Sequence, residues 1–228
     1  MAAVLTLGLN GAELIADASG GLYWPAERAF VLADLHLEKG SSYARSGTLL
    51  PPYDSRASLD VLEEALARHQ ASSVICLGDS FHDGEGAGRL AHAERERLAA
   101  LARRHEWIWI AGNHDPAPPS EIGGTVVTET IAIGPLTFRH CAALESAAGE
   151  VSGHYHPKAS LWGRAGRLSG RCFVSDRRRI ILPAFGAYAG GLDVRDPAIA
   201  ALFPEGCAVH LIARGRIATI ADTYATTD

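Results

Sequence analysis

Five short segments carry residue types that bind cations. They are ADLHLEK (Ala33–Lys39), LGDSFHD (Leu77–Asp83), AGNHDP (Ala111–Pro116), FRHC (Phe138–Cys141) and GHYHP (Gly153–Pro157). In the first, Asp34 and His36 stand two apart where a strand should end. On an extended backbone, residues i and i+2 face the same side, so both could reach one ion. In the second, Asp79 follows Gly78. A carboxylate has two oxygens and can bridge two ions, and the glycine keeps a side chain out of the turn. Asn113 offers a neutral oxygen. His114 is the candidate proton carrier, since imidazole titrates near neutral pH, and Asp115 is the candidate to orient it. His82 and Asp83 are candidates for substrate or outer contacts. His140 sits at a further strand end, and His154 and His156 repeat the two-residue spacing. Taken singly, several of these segments also read as ordinary turns. Together, Asp34, His36, Asp79, Asn113, His140, His154 and His156 form an oxygen-and-imidazole set that needs no cysteine. That set suits manganese, iron or zinc, whereas magnesium prefers oxygen and water. Seven ligands are too many for one tetrahedral ion but suit two ions sharing Asp79.

The elements that must bring these segments together are legible. Residues 4–9 and 12–17 read as two strands joined by Asn10-Gly11, a strong hairpin signal. The run 29–33 reads as a buried strand. The period changes to helical over 53–69, with Asp54 or Ser55 as a candidate cap. A strand follows over 73–77, a surface helix over 88–104 and a strand over 107–111. This alternation predicts parallel crossover units, whose ligands gather at the carboxyl ends of the strands. The second half is strand-rich. Short strands are expected around the turn at 133–136, before Gly153, on both sides of Ser175-Asp176, and in a hairpin about Arg214-Gly215. A short helical turn is expected at 197–202. Two packed sheets with helices outside, in one domain over residues 1–228, is the expected architecture.

The chain has 228 residues and a net charge of -5, with 47% hydrophobic residues, which fits a globular domain rather than a disordered chain or a general nucleic-acid coat. No uncharged apolar run reaches membrane-spanning length, and the N-terminus lacks the basic segment of a signal peptide. A cytoplasmic protein with no membrane partner is expected. Cys76, Cys141, Cys172 and Cys207 are scattered and expected to be buried thiols. Arg164, Arg167, Arg171, Arg177, Arg178 and Arg179 form a basic stretch that would position a DNA backbone if it lined the site, with Trp162 as a candidate stacking residue.

The order Asp-x-His, Gly-Asp, Gly-Asn-His-Asp, His, Gly-His-x-His resembles the calcineurin-like metallophosphoesterase superfamily, and all five blocks occur in order over residues 34–156. GGLYWPAERAFVLADLHLEKGSSYARSG, GDSFHD, GHYHPKA and ILPAFGAYAGGLDV are similar to a bacterial subfamily, the ligase-associated DNA damage response endonucleases. The chain departs from that subfamily at Glu38, where glycine is expected in many relatives. The resemblance implies an α/β fold, a four-layer αββα sandwich of two mixed β-sheets flanked by helices. It implies two divalent metal ions, manganese first with iron or zinc as alternatives. One would be held by Asp34, His36, Asp79 and His156, the other by Asp79, Asn113, His140 and His154. His114 would be the catalytic histidine, with Asp115 beside it. The implied reaction is metal-dependent hydrolysis of DNA phosphodiesters, in which a metal-bridging hydroxide attacks in line and His114 assists. The implied partners are DNA, a DNA ligase, a helicase and a nuclease-like repair protein, and open sheet edges leave room for a homo-oligomer. The same core could serve a small-molecule phosphodiesterase or phosphomonoesterase. A non-catalytic repair scaffold is the remaining alternative, disfavoured because the ligand set is intact.

Overall fold

The computed structural model describes residues 3–118, 120–145, 148–163 and 166–220. Strands β1 (Val4–Leu9) and β2 (Ala12–Asp17) form the expected hairpin. Asn10 and Gly11 both take positive φ, 47° and 82°, as a tight two-residue turn requires. β3 (Leu22–Trp24) and β4 (Ala29–Leu32) continue the antiparallel edge. From β4 the sheet becomes parallel through β5 (Ser73–Leu77), β6 (Glu106–Ile110) and β7 (Thr125–Val127). Helix α1 (Lys39–Arg45), which no sequence pattern marked, follows the first candidate segment. The crossovers then run through α2 (Asp54–His69), α3 (Gly86–Arg89) and α4 (His92–Arg104). The single helix expected over 88–104 is split, because Leu90 and Ala91 take extended ψ values of 126° and 150°. Leu90 is buried there, packed with the residues under α4.

The second sheet holds β8 (Thr130–Ile133), β9 (Leu136–Arg139), β10 (Glu150–Ser152), β12 (Gly166–Ser175), β13 (Arg179–Ile181), β14 (Ala208–Ala213) and β15 (Arg216–Ile220). β11 (Lys158–Gly163) pairs with β12 as a projecting hairpin. β10 is parallel to both β9 and β13, so its end and that of β9 emerge on the same edge. Pairing is mixed in both sheets.

Strand alternation divides the core. Ala29, Val31, Ile75, Leu77, Ile108 and Ile110 face the second sheet and meet Phe138, Val151, Phe173 and Ile180. Their neighbours Phe30, Leu32, Val74, Cys76, Trp107 and Trp109 face α2 and α4. Both faces of the parallel strands are covered, which is why they read as continuous apolar runs. The outer face of the second sheet is covered by α5 (Pro197–Ala200) and the chain around Leu202 and Phe203. Cys76, Cys172 and Cys207 are buried as expected, but Cys141 is exposed, near the Tyr155 hydroxyl at 3.3 Å. No helix among the described residues is long and apolar enough to cross a membrane.

α2 is pinned to the sheet at its C-terminal end. Asp17 is fully buried and accepts from the Ser19 N–H at 2.7 Å, Arg68 Nη1 at 2.7 Å and His69 Nε2 at 2.8 Å. Burial alone would raise the Asp17 pKa. Those hydrogen bonds outweigh it and hold the carboxyl below its usual value. A carboxylate whose folded pKa is depressed stabilises the fold above its unfolded pKa of about 3.9 and loses that contribution as pH falls further. The stability that Asp17 confers over Asp17→Asn, measured by denaturant titration, is therefore still present at about pH 5. It shrinks below about pH 4.

Candidate metal centre

The two sheets deliver all five candidate segments to one place. Asp34 and His36 follow β4, Asp79 follows β5, Asn113 follows β6, His140 follows β9, and His154 and His156 follow β10. The parallel registers of β4, β5 and β6 align the first three segments, and β9 beside β10 aligns the others. The backbone is not extended at these positions. Asp34, His36, Asp79, His154 and His156 have φ of 55°, 43°, 46°, 73° and 47°, the left-handed region. Asp34 and His36 do converge on one cluster, while His154 and His156 reach two adjoining ones, and both pairs do so through left-handed residues rather than a strand pleat. Such conformations persist in non-glycine residues only where the surroundings over-determine them. Here the chains lock each other: the Asp34, His36 and Leu37 N–H groups donate to the carbonyls of Gly78, Asp79 and Ser80.

Two clusters result, Asp34–His36–His156 and Asp79–His140–His154. In the first, His36 Nε2 lies 3.2 Å from His156 Nε2, which lies 3.4 Å from Asp34 Oδ1. That oxygen is buried with no hydrogen-bond partner among the described residues. In the second, His140 Nδ1 donates to the Leu77 carbonyl at 2.8 Å, which leaves Nε2 as the lone pair of a neutral imidazole. Nε2 faces Asn113 Oδ1 at 2.9 Å, His154 Nδ1 at 3.1 Å and Asp79 Oδ2 at 3.5 Å. Lone pairs aimed at one another around an unpartnered carboxylate oxygen are what a cation resolves. Asp79 Oδ2 is also 4.0 Å from His36 Nε2, so it stands between the clusters. The same carboxylate is aimed by its other oxygen, which accepts from the His114 N–H at 2.9 Å. Burial pushes the His36 imidazole down to about 3, against the pull of Asp34, and lowers His154 with help from His140. Neutral imidazole is the form that binds metal. Burial would raise Asp34, but the adjacent imidazoles, His156 first and then His140 and His36, hold it low. The donor set and its geometry fit two divalent cations.

The glycines before the candidate ligands are packing positions. A Cβ on Gly78 would meet His140 Nδ1 at 2.4 Å, one on Gly112 would meet Asp79 Oδ1 at 2.1 Å and its N at 2.2 Å, and one on Gly153 would meet Asp34 Oδ2 at 2.7 Å. Each glycine thus lies under a candidate ligand from a different segment. Gly112→Ala is expected to lower stability by about 1–3 kcal/mol or more, since overpacking here strikes backbone. It should also reduce the metal bound per folded chain. A thermal melt with and without metal checks both.

The remaining candidates divide. His114 is exposed and its Nδ1 donates to the His82 carbonyl at 3.0 Å. His82 stacks on it at 5.3 Å and approaches His36 Nδ1 at 3.5 Å. Asp115 does not orient His114, contrary to expectation. It is buried, and its Oδ2 accepts from the Phe81 N–H at 3.0 Å, bracing the loop that carries Asp79. Burial, then the charge of Asp79, push its pKa up to about 7. Asp83 is likewise occupied, in a two-pronged pair with Arg89 at 2.9 and 2.7 Å. Asp54 and Ser55 do not cap α2. They bind the Gly40 and Glu38 N–H groups at 3.0 and 2.9 Å, fixing the chain after His36. Glu38 has φ 64°, the conformation that favours glycine, which explains the glycine expected there.

The arginines do not line the centre as a group. Arg179 packs beside Glu150 at the start of β10, whereas His154 and His156 leave its far end. Arg179 is buried and bonded to Glu150 and the Ala143 carbonyl. Arg177 and Arg178 line a cavity of about 1190 Å³ at that same remote end. Arg171 donates to the carbonyls of Ser19, Ala184 and Phe185, and Arg167 to Ser160. Arg164 and the Trp162 side chain lie outside the described residues. Two cations that the motifs alone did not single out stand nearer: Lys39, whose charge bears on His36 and His82, and Lys158, beside His156 in a cavity of about 450 Å³. The available signal was that each closely follows a ligand motif.

A family profile described as calcineurin-like phosphoesterase matches residues 28–186. The solved structure of the Pseudomonas putida nuclease MPE is 30% identical, with a TM-score of 0.76 over 95% of this chain and 100% of its own. Yfce, a phosphoesterase from E. coli, is 16% identical with a TM-score of 0.43, over 86% of this chain and 99% of its own. A search of curated proteins returned no match.

Proposed function

The chain belongs to the calcineurin-like phosphoesterase family, and on that footing we propose that it is a two-cation phosphodiesterase that cuts DNA, serving DNA repair. The observation that carries the two-cation reading is Asp79 Oδ2, set between one cluster and the other at 3.5 Å from His140 and 4.0 Å from His36. The nuclease reading is supported by the 30% identity to the Pseudomonas putida nuclease along nearly the whole of both chains.

In this reading Asp34, His36, Asp79 and His156 hold one divalent cation, and Asp79, Asn113, His140 and His154 the other. Manganese is the first choice, with iron or zinc as alternatives. When bound, the ions would neutralise phosphoryl oxygens and lower the pKa of a water. The chain's own groups do the rest. The Leu77 carbonyl fixes the tautomer of His140 so that Nε2 is the ligating atom. The His114 N–H fixes the orientation of the Asp79 carboxylate that would serve both ions. With Nδ1 committed to the His82 carbonyl, His114 Nε2 is the atom that delivers a proton to the leaving oxygen or stabilises its charge. Asp115 acts indirectly, by holding the loop of Asp79.

The test is a cleavage assay with Mn²⁺ on single-stranded, duplex and branched DNA beside bis-p-nitrophenyl phosphate. Cutting of DNA is the expected result. Turnover of the small diester alone would replace this reading with a small-molecule phosphodiesterase, and no turnover with a scaffold. The subfamily resemblance makes a DNA ligase, a helicase and a nuclease-like protein the expected partners, to be sought by co-purification.

A further inference from the structure

The first cluster opens onto a trench that the hydrolytic chemistry does not use. It is the cavity of about 450 Å³ between α2 and the chain at 184–190, with His156 in its wall and Lys158 beside it. No carboxylate among the described residues lines it, although the chain as a whole carries 26 acidic against 21 basic residues. Its floor is rigid. Arg171 ties the Ala184 and Phe185 carbonyls to the body of the protein, the Gly186 N–H donates to the Asp34 carbonyl at 3.1 Å, and the Ala187 N–H donates to Ser58 Oγ at 3.1 Å. A Cβ on Gly186 would meet the Leu35 carbonyl at 2.1 Å, so this chain lies directly against the metal-binding loop.

Lys158 stands in the lining of this trench, and the charge of Lys158 reaches Lys39, the first residue of α1. Neither Lys39 nor Lys158 forms an ion pair among the described residues. Lys39 lies over the Tyr43 ring at 5.8 Å. Burial lowers its pKa, the charge of Lys158 lowers it further, and Asp54 opposes them. Asp54 is itself turned to the Gly40 N–H. An ammonium in the wall of a cavity beside His156, with no carboxylate among the described lining residues, suits an anion, and the cavity's volume falls in the range of small-ligand cavities, roughly 300–1,000 Å³.

We propose that Lys39, Lys158 and this trench bind a second phosphate of the substrate strand, the one next to the phosphate being cut. This rests on the phosphodiesterase reading and deepens it. The centre would hydrolyse a lone diester, and the lysine subsite would make a strand with a neighbouring phosphate the better substrate. Lysine recognises phosphate as a point charge, without reading the base.

The experiment compares thymidine dinucleotides with one internal diester and either no terminal phosphate or one at the 5′ or 3′ end. Wild type is expected to favour one of the phosphorylated forms by about tenfold or more in kcat/KM. Lys39→Met with Lys158→Met keeps the apolar stems and should abolish that preference through KM, with metal content intact. The second readout needs no turnover. Affinity for single-stranded oligothymidylate in EDTA is measured against salt, and the slope of log K shrinks by about 0.7 for each phosphate that the variant no longer neutralises. An undiminished preference and slope in the double variant would overturn the subsite. If wild type cut no diester at all, the phosphodiesterase reading would fall. The salt slope would still decide whether the lysines bind phosphate.

Discussion

Asp79→Ala is expected to reduce bound metal from two ions per chain to at most one, and to lower kcat/KM on DNA by on the order of 10³-fold or more. The size follows from what one carboxylate does. Its Oδ2 stands between the two clusters and its Oδ1 is fixed by the His114 N–H. Losing it therefore weakens both ions, each worth several kcal/mol of charge stabilisation, at about 1.36 kcal/mol for every factor of ten. Asp79→Asn keeps an acceptor for that N–H and serves as the folding control. Elemental analysis and a thermal melt, with and without EDTA, separate the effects. Wild-type metal content in Asp79→Ala would show that Asp79 ligates neither ion.

His114→Ala should behave differently. Both ions should remain, because neither ring nitrogen of His114 joins either cluster. Turnover should fall by about 10²–10⁴-fold, the range for loss of a general acid. The backbone N–H that holds Asp79 survives the substitution, so the Asp79 carboxylate should keep its orientation. Metal lost together with turnover would make His114 a structural residue, and turnover retained would remove it from the chemistry. His82 is the neighbour to check, since it stacks on His114 and approaches His36.

Much of this was legible in the sequence for identifiable reasons. The Asn10-Gly11 turn demanded positive φ, and alternation on either side fixed the hairpin register. The parallel strands announced themselves because both faces are buried, one against α2 and α4 and the other against the second sheet. Once these strands are parallel, Asp34, Asp79 and Asn113 must emerge together. Other features were hidden because tertiary contacts decide them. α1 carries the polar run Lys39–Arg45 and begins after a left-handed Glu38, so no apolar period marked it. Asp115 lies next to His114 in the chain, yet the turn sends its carboxylate to the Phe81 amide and the imidazole to the His82 carbonyl. The arginines between 167 and 179 look like one patch in sequence. β12 and the turn after it spread them from the Ser19 carbonyl to the remote end of β10. The left-handed candidate ligands were the least predictable part, because left-handed Asp and His are held by hydrogen bonds between segments far apart in the chain.

The two-ion centre itself is open to a calorimetric titration of metal-free protein with Mn²⁺, with bound metal counted independently by elemental analysis. Two ions per wild-type chain are expected, and one in variants that remove a ligand from a single cluster, such as His36→Ala or His154→Ala. A single ion in wild type, lost alike from His36→Ala and His154→Ala, would contradict a two-ion centre shared through Asp79.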